Sequence, residues 1–316
     1  EENRGLEYMF IMMNSARFAV GLEGIGLAER AYQKARAYAR ERVQGVEQGG
    51  ETGAKVAIIR HPDVRRMLLS MKSRIEAMRA LAAVMAESMD QAALNPDPEV
   101  RDAHQAFVEL MIPIAKGWFT ETGLDIASMG IQVHGGVGFI EETGAAQYLR
   151  DARITTIYEG TTGIQAMDLV GRKIGRDGGL AIGSVIVRMR QVQADLESHA
   201  HAELRAIGAQ LNRGIGDLEA AVESLVKSWE GGPKPALAGS GPFLELLGIV
   251  AAGWQMGRAA LAADRLLASD PGSDFLTNKI LTCRFYADHV LSKSAGLRHA
   301  IVSGSGATLE FSDAAF

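Results

Sequence analysis

One cysteine, Cys283, is all the thiol chemistry that this chain of 316 residues possesses. That excludes an internal disulfide and any multi-cysteine metal site, and a lone cysteine in an apolar pattern reads as a small core residue. Proline is scarce too, with 8 in all and none between Glu1 and His61, so nothing interrupts a long helix there. No apolar run approaches the roughly 20 residues that a membrane helix needs. Neither sign of charge prevails: 33 basic residues face 38 acidic ones, interleaved, for a net charge of −5. Nucleic-acid binding, which wants a concentrated basic face, is thereby disfavoured. No apolar segment follows the charged Glu1-Glu2-Asn3-Arg4, so no secretory signal is read and a cytoplasmic location is expected. An initiator methionine is missing, and Gly5-Leu6 runs directly into a helix; the expectation is a piece of a longer precursor.

What the chain does contain is apolar residues in helical register. A hydrophobic content of 47% is ample for buried cores, and 316 residues suggest about two domains. Leu6, Met9, Met13, Ala16 and Val20 mark one face, continued by Leu27, Ala31, Ala35 and Tyr38. They predict one long helix to about Arg42, stopped by Gly45 and Gly49-Gly50. Pro62 and Asp63 suit the first turn of a second helix. Its stripe of Met67, Leu68, Met71, Ile75, Met78, Leu81 and Met85 reads as bundle core rather than a binding surface. Asn95-Pro96-Asp97-Pro98 is a turn opening a third helix, which Pro113 should kink or divide. Helical pattern resumes through Trp118, Ile126 and Met129 to the glycines at Gly135. After a short segment around Ala145 to Leu149, a fourth helix is expected over residues 162–174. Beyond a boundary at 175–179 come amphipathic stretches at 182–197, 203–228, 243–268 and 275–302, with Gly231-Gly232-Pro233-Lys234-Pro235 as a stiff loop. No strand-length alternation with hairpin chemistry is seen. The expected fold is all-α in two helical parts, 1–174 and 175–316.

Taken singly, the polar motifs are weak. Gly135-Gly136-Val137-Gly138 lacks the preceding strand and following helix of a dinucleotide loop, and fits a helix C-terminus with a tight turn. His134 reads as an incidental loop histidine with no metal-ligand spacing, and no metal is expected. Glu159, before Gly160-Thr161-Thr162, could simply complement a helix start. Arg17 on an apolar-faced helix ordinarily snorkels to solvent. Asp151 and Arg153 read as an ion pair fixing the loop before Glu159, worth about 1 kcal/mol or less.

Together they say more. Gln132-Val133-His134-Gly135-Gly136-Val137-Gly138-Phe139, Arg150-Asp151-Ala152-Arg153-Ile154 and Ile157-Tyr158-Glu159-Gly160-Thr161-Thr162-Gly163-Ile164-Gln165 lie in register. Over about half of the chain, residues 2–174, the sequence resembles the C-terminal helical half of acyl-CoA dehydrogenases. Gly5-Leu6-Glu7-Tyr8-Met9-Phe10, His61-Pro62-Asp63-Val64-Arg65 and Asp168-Leu169-Val170-Gly171-Arg172-Lys173 are similar to a large subclass with an extra C-terminal helical domain. That subclass includes the 3-methylmercaptopropionyl-CoA dehydrogenases. The resemblance implies a four-helix up-and-down bundle over 1–174 with an additional all-helical extension over 175–316.

It also implies chemistry. Glu159 would remove the α-proton of an acyl-CoA thioester while FAD takes a hydride from the β-carbon, giving the trans-enoyl-CoA. Such a proton is weakly acidic, so its base must work in a cleft that desolvates the carboxylate. The Glu159 backbone N–H would bind the thioester carbonyl, with Tyr158 and Gly160 beside the substrate. Arg17 would lie near the glutamate. Arg42, Gln132, Gly135, Gly136 and Thr161 are the implied FAD contacts, the Gln132 and glycine set reaching a cofactor held by a neighbouring subunit. A homodimer or dimer of dimers, and an electron-transfer flavoprotein as electron acceptor, are implied as partners. Two departures stand out: Arg42-Val43-Gln44-Gly45 is one residue shorter than the family's Arg-x-x-Phe-Gly and lacks its aromatic, and Gly163 replaces a glutamine common in the family. The flavin-covering sheet of the family has no counterpart in this sequence, so the isolated chain is expected to be inactive. Two other readings are a non-catalytic helical oligomerisation module, with Glu159 solvated, and an acyl-CoA oxidase, in which oxygen reoxidises the flavin.

Overall fold

A computed structural model describes residues 1–49 and 53–316 of the chain; Gly50, one of the expected stops, and the side chains at positions 7, 10 and 11 lie outside the described residues. The proline-free N-terminus forms a single helix, α1 (Gly5–Glu41), of 37 residues. It ends where Arg42 turns extended, its N–H bonding back to the Tyr38 carbonyl. A small antiparallel ribbon follows, β1 (Val43–Val46) on β2 (Lys55–Ala57), pairing Val43 with Ala57 and Val46 with Lys55. These strands are too short to show an alternation, which is why the sequence reads as wholly helical there.

Pro62 starts α2 (Pro62–Leu94), and the methionine stripe is buried as expected, Met71, Met78 and Met85 completely. Asp97 caps α3 (Pro98–Pro113) by accepting from the Glu99 N–H at 2.9 Å. Pro113 does not break the rod. The chain widens into one π-helical turn, Ile114–Trp118, and continues as α4 (Phe119–His134). Proline has no N–H and its ring crowds the preceding turn, and a wider turn absorbs both. Then come the short α5 (Gly136–Phe139), α6 (Ala145–Thr155) and α7 (Thr162–Asp168), which runs on as a second π-helical stretch, Leu169–Gly175. Helix α1 packs along α4 and α6, and α2 along α3, to make the bundle.

The second part comprises α8 (Leu180–Glu197), α9 (Ala202–Glu230), α10 (Pro233–Ala238), α11 (Ser240–Leu267), α12 (Asp274–His289), α13 (Ser294–Ser303) and α14 (Ser305–Glu310). Two local expectations need correcting. Pro233 and Pro235 do not make a loop; they occupy the first turn of α10, where a missing N–H costs nothing. The stretch expected over 275–302 divides at Val290, with a 3₁₀ turn at Leu291–Lys293 between α12 and α13.

Helix α11 is the axle of the molecule. By length and composition alone it could cross a membrane, contrary to the absence read from the sequence, yet 78% of its most apolar window is buried inside the protein. It packs on α2, α7, α8, α9, α12 and α13. The Tyr286 hydroxyl donates to the Ile249 carbonyl at 3.0 Å, tying α12 to it. One continuous apolar core therefore extends from Met71 and Phe119 to Leu211, Trp254 and Tyr286. Where α11 crosses the first π turn, Gly248 lies flat on the Trp118 indole: a Cβ there would sit 2.4 Å from Trp118 Cγ. Gly248→Ala is expected to cost about 1–3 kcal/mol of stability through overpacking, measured by urea unfolding. An unchanged midpoint would show that the two elements separate freely.

Candidate active site

Glu159 sits in the loop between α6 and α7, half-buried, with φ +57°. Apart from Asn3, it is the only residue other than glycine with positive φ among the described residues. The left-handed region costs a side-chain-bearing residue free energy and persists only when its surroundings impose it. Here four braces do so. Thr161 caps α7 by accepting from the Ile164 N–H at 3.3 Å. The Thr162 hydroxyl donates to Glu121 on α4 at 2.6 Å. Gln165, fully buried, donates its amide to the carbonyls of Glu159 and Gly160, each at 3.3 Å. The Tyr158 hydroxyl donates to Glu23 on α1; burial and that acidic acceptor push the phenol up to about 12. The Glu159 backbone N–H itself makes no hydrogen bond among the described residues.

Behind this loop lies a residue that the sequence reading passed over. Lys116, in the first π turn, is 0% exposed, and its ammonium has no hydrogen-bond partner among the described residues. It stands within electrostatic reach of Glu121, Arg17 and Glu159. Burial, with Arg17 adding to it, brings the Lys116 amine down to about 8, against the opposing pull of Glu121 and Glu159. The signal was present: Lys116 is the only charged residue from Leu110 to Thr120. Arg17 also has a buried Nε without a partner. It lines a cavity of about 540 Å3 shared with Asn14, Ile112, Asp168 and Lys173.

The other predicted residues gather elsewhere. Helix α4 ends at His134, and Gly135 reverses the chain with φ +64° and ψ −145°. Nothing lies within 4 Å of where a Cβ would stand on Gly135 or Gly136, which makes an open shelf beside the exposed Gln132. Phe139, 81% exposed, and Val137 and Ile140 border it. His134 is not the loop residue expected. It belongs to α4, is buried, bonds the Gly130 carbonyl through Nδ1 at 2.7 Å, and stacks on Tyr38 with ring centroids 4.5 Å apart. That stack joins the far ends of α1 and α4, so Arg42, bonded to Gln44 at 3.2 Å, stands at the shelf end. Arg42 follows Arg17 by 25 residues of α1, about 37 Å of helix. The structure thus brings Arg17, Tyr158, Glu159, Gly160 and Thr161 to one region, and Arg42, Gln132, Gly135 and Gly136 to another.

The Asp151–Arg153 ion pair does not form. Two positions apart on α6, the side chains face different ways; Arg153 instead donates to the Thr156 hydroxyl at 2.8 Å, and it is Arg150 that pairs, with Glu141 at 3.0 Å.

With this geometry in hand, comparisons with known proteins agree along the chain. A family profile described as "Acyl-CoA dehydrogenase, C-terminal domain" matches residues 3–174, and one described as "Acetyl-CoA dehydrogenase C-terminal like" matches 188–312. The 3-methylmercaptopropionyl-CoA dehydrogenase of Ruegeria pomeroyi is 45% identical over 309 residues, covering 98% of this chain and 52% of that protein. The broad-specificity linear acyl-CoA dehydrogenase FadE5 of Mycobacterium tuberculosis is 32% identical over 331 residues, covering 54% of its length. The chain thus spans about half the length of the curated relatives it matches. Among solved structures, an acyl-CoA dehydrogenase complexed with FAD from Bacillus anthracis shares the fold with a TM-score of 0.72 at 18% identity, over 98% of this chain and 51% of that one. Caenorhabditis elegans ACDH-11, solved in complex with C11-CoA, shares it at 0.70 and 19%, over 96% and 49%.

Proposed function

Since the chain belongs to the acyl-CoA dehydrogenase family, we propose that its bundle is the helical side of a site that dehydrogenates an acyl-CoA thioester between its α and β carbons. The observation that carries this reading is Glu159, a carboxylate held in a left-handed conformation by four braces. Strain of this kind gathers where a side chain must be aimed. Glu159 takes the α-proton. Its free N–H offers a donor to the thioester carbonyl oxygen, where negative charge develops as that proton leaves. Lys116 stands within electrostatic reach of both the carboxylate and Arg17, and Arg17 lines the neighbouring cavity.

FAD, when bound, supplies the hydride acceptor at the β-carbon. The chain's exposed groups suit such a dinucleotide: the Gln132 amide, the Arg42 guanidinium and the clear Gly135–Gly136 shelf, with Thr161 on the substrate side. Shelf and base lie apart along the bundle, the base loop braced to Glu23 and Glu121 and the shelf beyond His134, and the family resemblance implies a shelf that serves a cofactor held by a neighbouring copy. We infer a homodimer in which the shelf of one copy completes the site of the other. Reduced cofactor would pass its electrons to an electron-transfer flavoprotein. A 316-residue chain that leaves Glu159 half-exposed is expected to show no turnover alone.

The test uses the complete protein loaded with FAD, without oxygen, and a panel of acyl-CoA esters of different chain length. At least one ester bleaches the flavin absorbance, and an electron-transfer flavoprotein restores it. Restoration as fast by oxygen alone makes the enzyme an oxidase. Failure of every ester to bleach the flavin removes the dehydrogenase reading.

A further inference from the structure

A second polar cleft lies where α2, α3, α8 and α11 meet, and it shares no residue with the Glu159 loop or the Gly135 shelf. It encloses about 310 Å3, and its walls include Glu87 and Ser88 of α2, His104 of α3, Arg188 of α8, and Trp254 and Arg258 of α11. Trp254 is 2% exposed, yet its indole N–H has no hydrogen-bond partner among the described residues. His104 Nδ1 is likewise buried and unpartnered. The Arg188 guanidinium is held by aromatic faces rather than by a carboxylate, 5.1 Å from the Trp254 ring and 5.2 Å from the Phe107 ring. Arg258 commits one donor to Gln255 at 2.9 Å.

This arrangement is unfavourable as it stands. Buried donors without acceptors cost free energy, and the two arginines repel. Burial, and then the neighbouring Arg258 charge, hold Arg188 below the usual arginine value, with Glu87 the only acid opposing them. An anion in the cleft would reverse each cost at once.

We propose that this cleft binds a phosphate-type oxyanion, seated on the Trp254 and His104 ring nitrogens between the Arg188 and Arg258 guanidiniums. The donors come from three different helices, so they converge out of plane and suit a tetrahedral group better than a flat carboxylate. The volume exceeds that of a bare phosphate ion and leaves room for the substituent of a phosphomonoester. A bound oxyanion would tie α3 of the bundle to α8 and α11 of the second part. The assignment is independent of the dehydrogenase reading, since it uses none of that site's residues.

Thermal unfolding of the 316-residue chain tests it, in inorganic phosphate against chloride at equal ionic strength. A ligand that binds only the folded state raises Tm with a saturating concentration dependence, whereas general salting effects do not saturate. Trp254→Phe is the diagnostic variant: it keeps an aromatic ring under Arg188 and removes the N–H together with part of the ring volume, so its unfolding without phosphate is the baseline for its response. Loss of one hydrogen bond to an anion should weaken apparent binding about ten- to hundred-fold, and Arg188→Gln with Arg258→Gln should abolish the response. Broadening of the phosphate 31P resonance by the unaltered chain gives the same answer without any variant. Glycerol phosphate binding more tightly than phosphate identifies an ester as the ligand, and equal binding identifies the free ion. An equal, saturating response to acetate overturns the tetrahedral assignment. A response that persists in Trp254→Phe and in the double variant, or no saturable response, overturns the site.

Discussion

Replacing Lys116 by methionine makes the protein more stable, by about 3 kcal/mol at pH 7 in urea unfolding. A buried ammonium without a hydrogen-bond partner pays a desolvation penalty that its charged neighbours do not fully offset. Methionine matches the aliphatic length of the side chain and carries no charge. The size follows from an amine brought down to about 8, against about 10.4 in the unfolded chain, at roughly 1.4 kcal/mol per unit. Below pH 8 lysine is protonated in both states and the penalty is present in full. From pH 8 to about 10.4 the unfolded chain binds the extra proton, so the unaltered protein gains stability as pH rises. The advantage of the methionine variant therefore shrinks across that window and is nearly gone at its top. A constant gap between pH 7 and pH 10 would show that something other than the ammonium separates the two proteins.

Glu159→Gln in the complete, FAD-loaded protein slows flavin reduction by acyl-CoA about 10³-fold, in the range expected when a general base is removed. Acyl-CoA binding survives, because the backbone N–H is untouched and Gln165, Thr161 and Thr162 still brace the loop. Stopped-flow reduction and a separate binding titration distinguish the two effects. A loss below tenfold would remove Glu159 from the proton transfer, and a parallel loss of binding would make the residue a support of the loop instead.

The loop of the proposed base stood out because its motif concentrates polar residues into adjacent positions. Tyr158, Glu159, Thr161 and Gln165 recur in a recognisable order, and the structure gives each of them a partner or a strained backbone. For Lys116 the sequence offers only a lone charge in an apolar stretch; its burial is decided when α1, α4 and α11 close around it. Likewise His134 next to glycines looked like loop, and only the length of α4 and the Tyr38 ring make it core. Pro113 announced an irregularity without its kind: the choice of a π turn over a break depends on Phe119 and Trp118 having a core to enter. Helix periodicity found the long rods, but a four-residue strand or the six residues of α10 are shorter than the window in which a period can be seen.

Leu244 of α11 has a consequence of its own. Its methyls reach the space over Gly117, where a Cβ would meet Leu244 Cδ2 at 2.7 Å and the Gln165 Cβ at 3.3 Å. Gln165 holds the Glu159 carbonyl, so Gly117 is the narrow place where α11 and the brace of the Glu159 loop come together. A larger residue at position 117 is therefore expected to disturb α11 and the Glu159 loop together. Compensating changes for a bulkier residue at position 117 belong on α11, at Leu244.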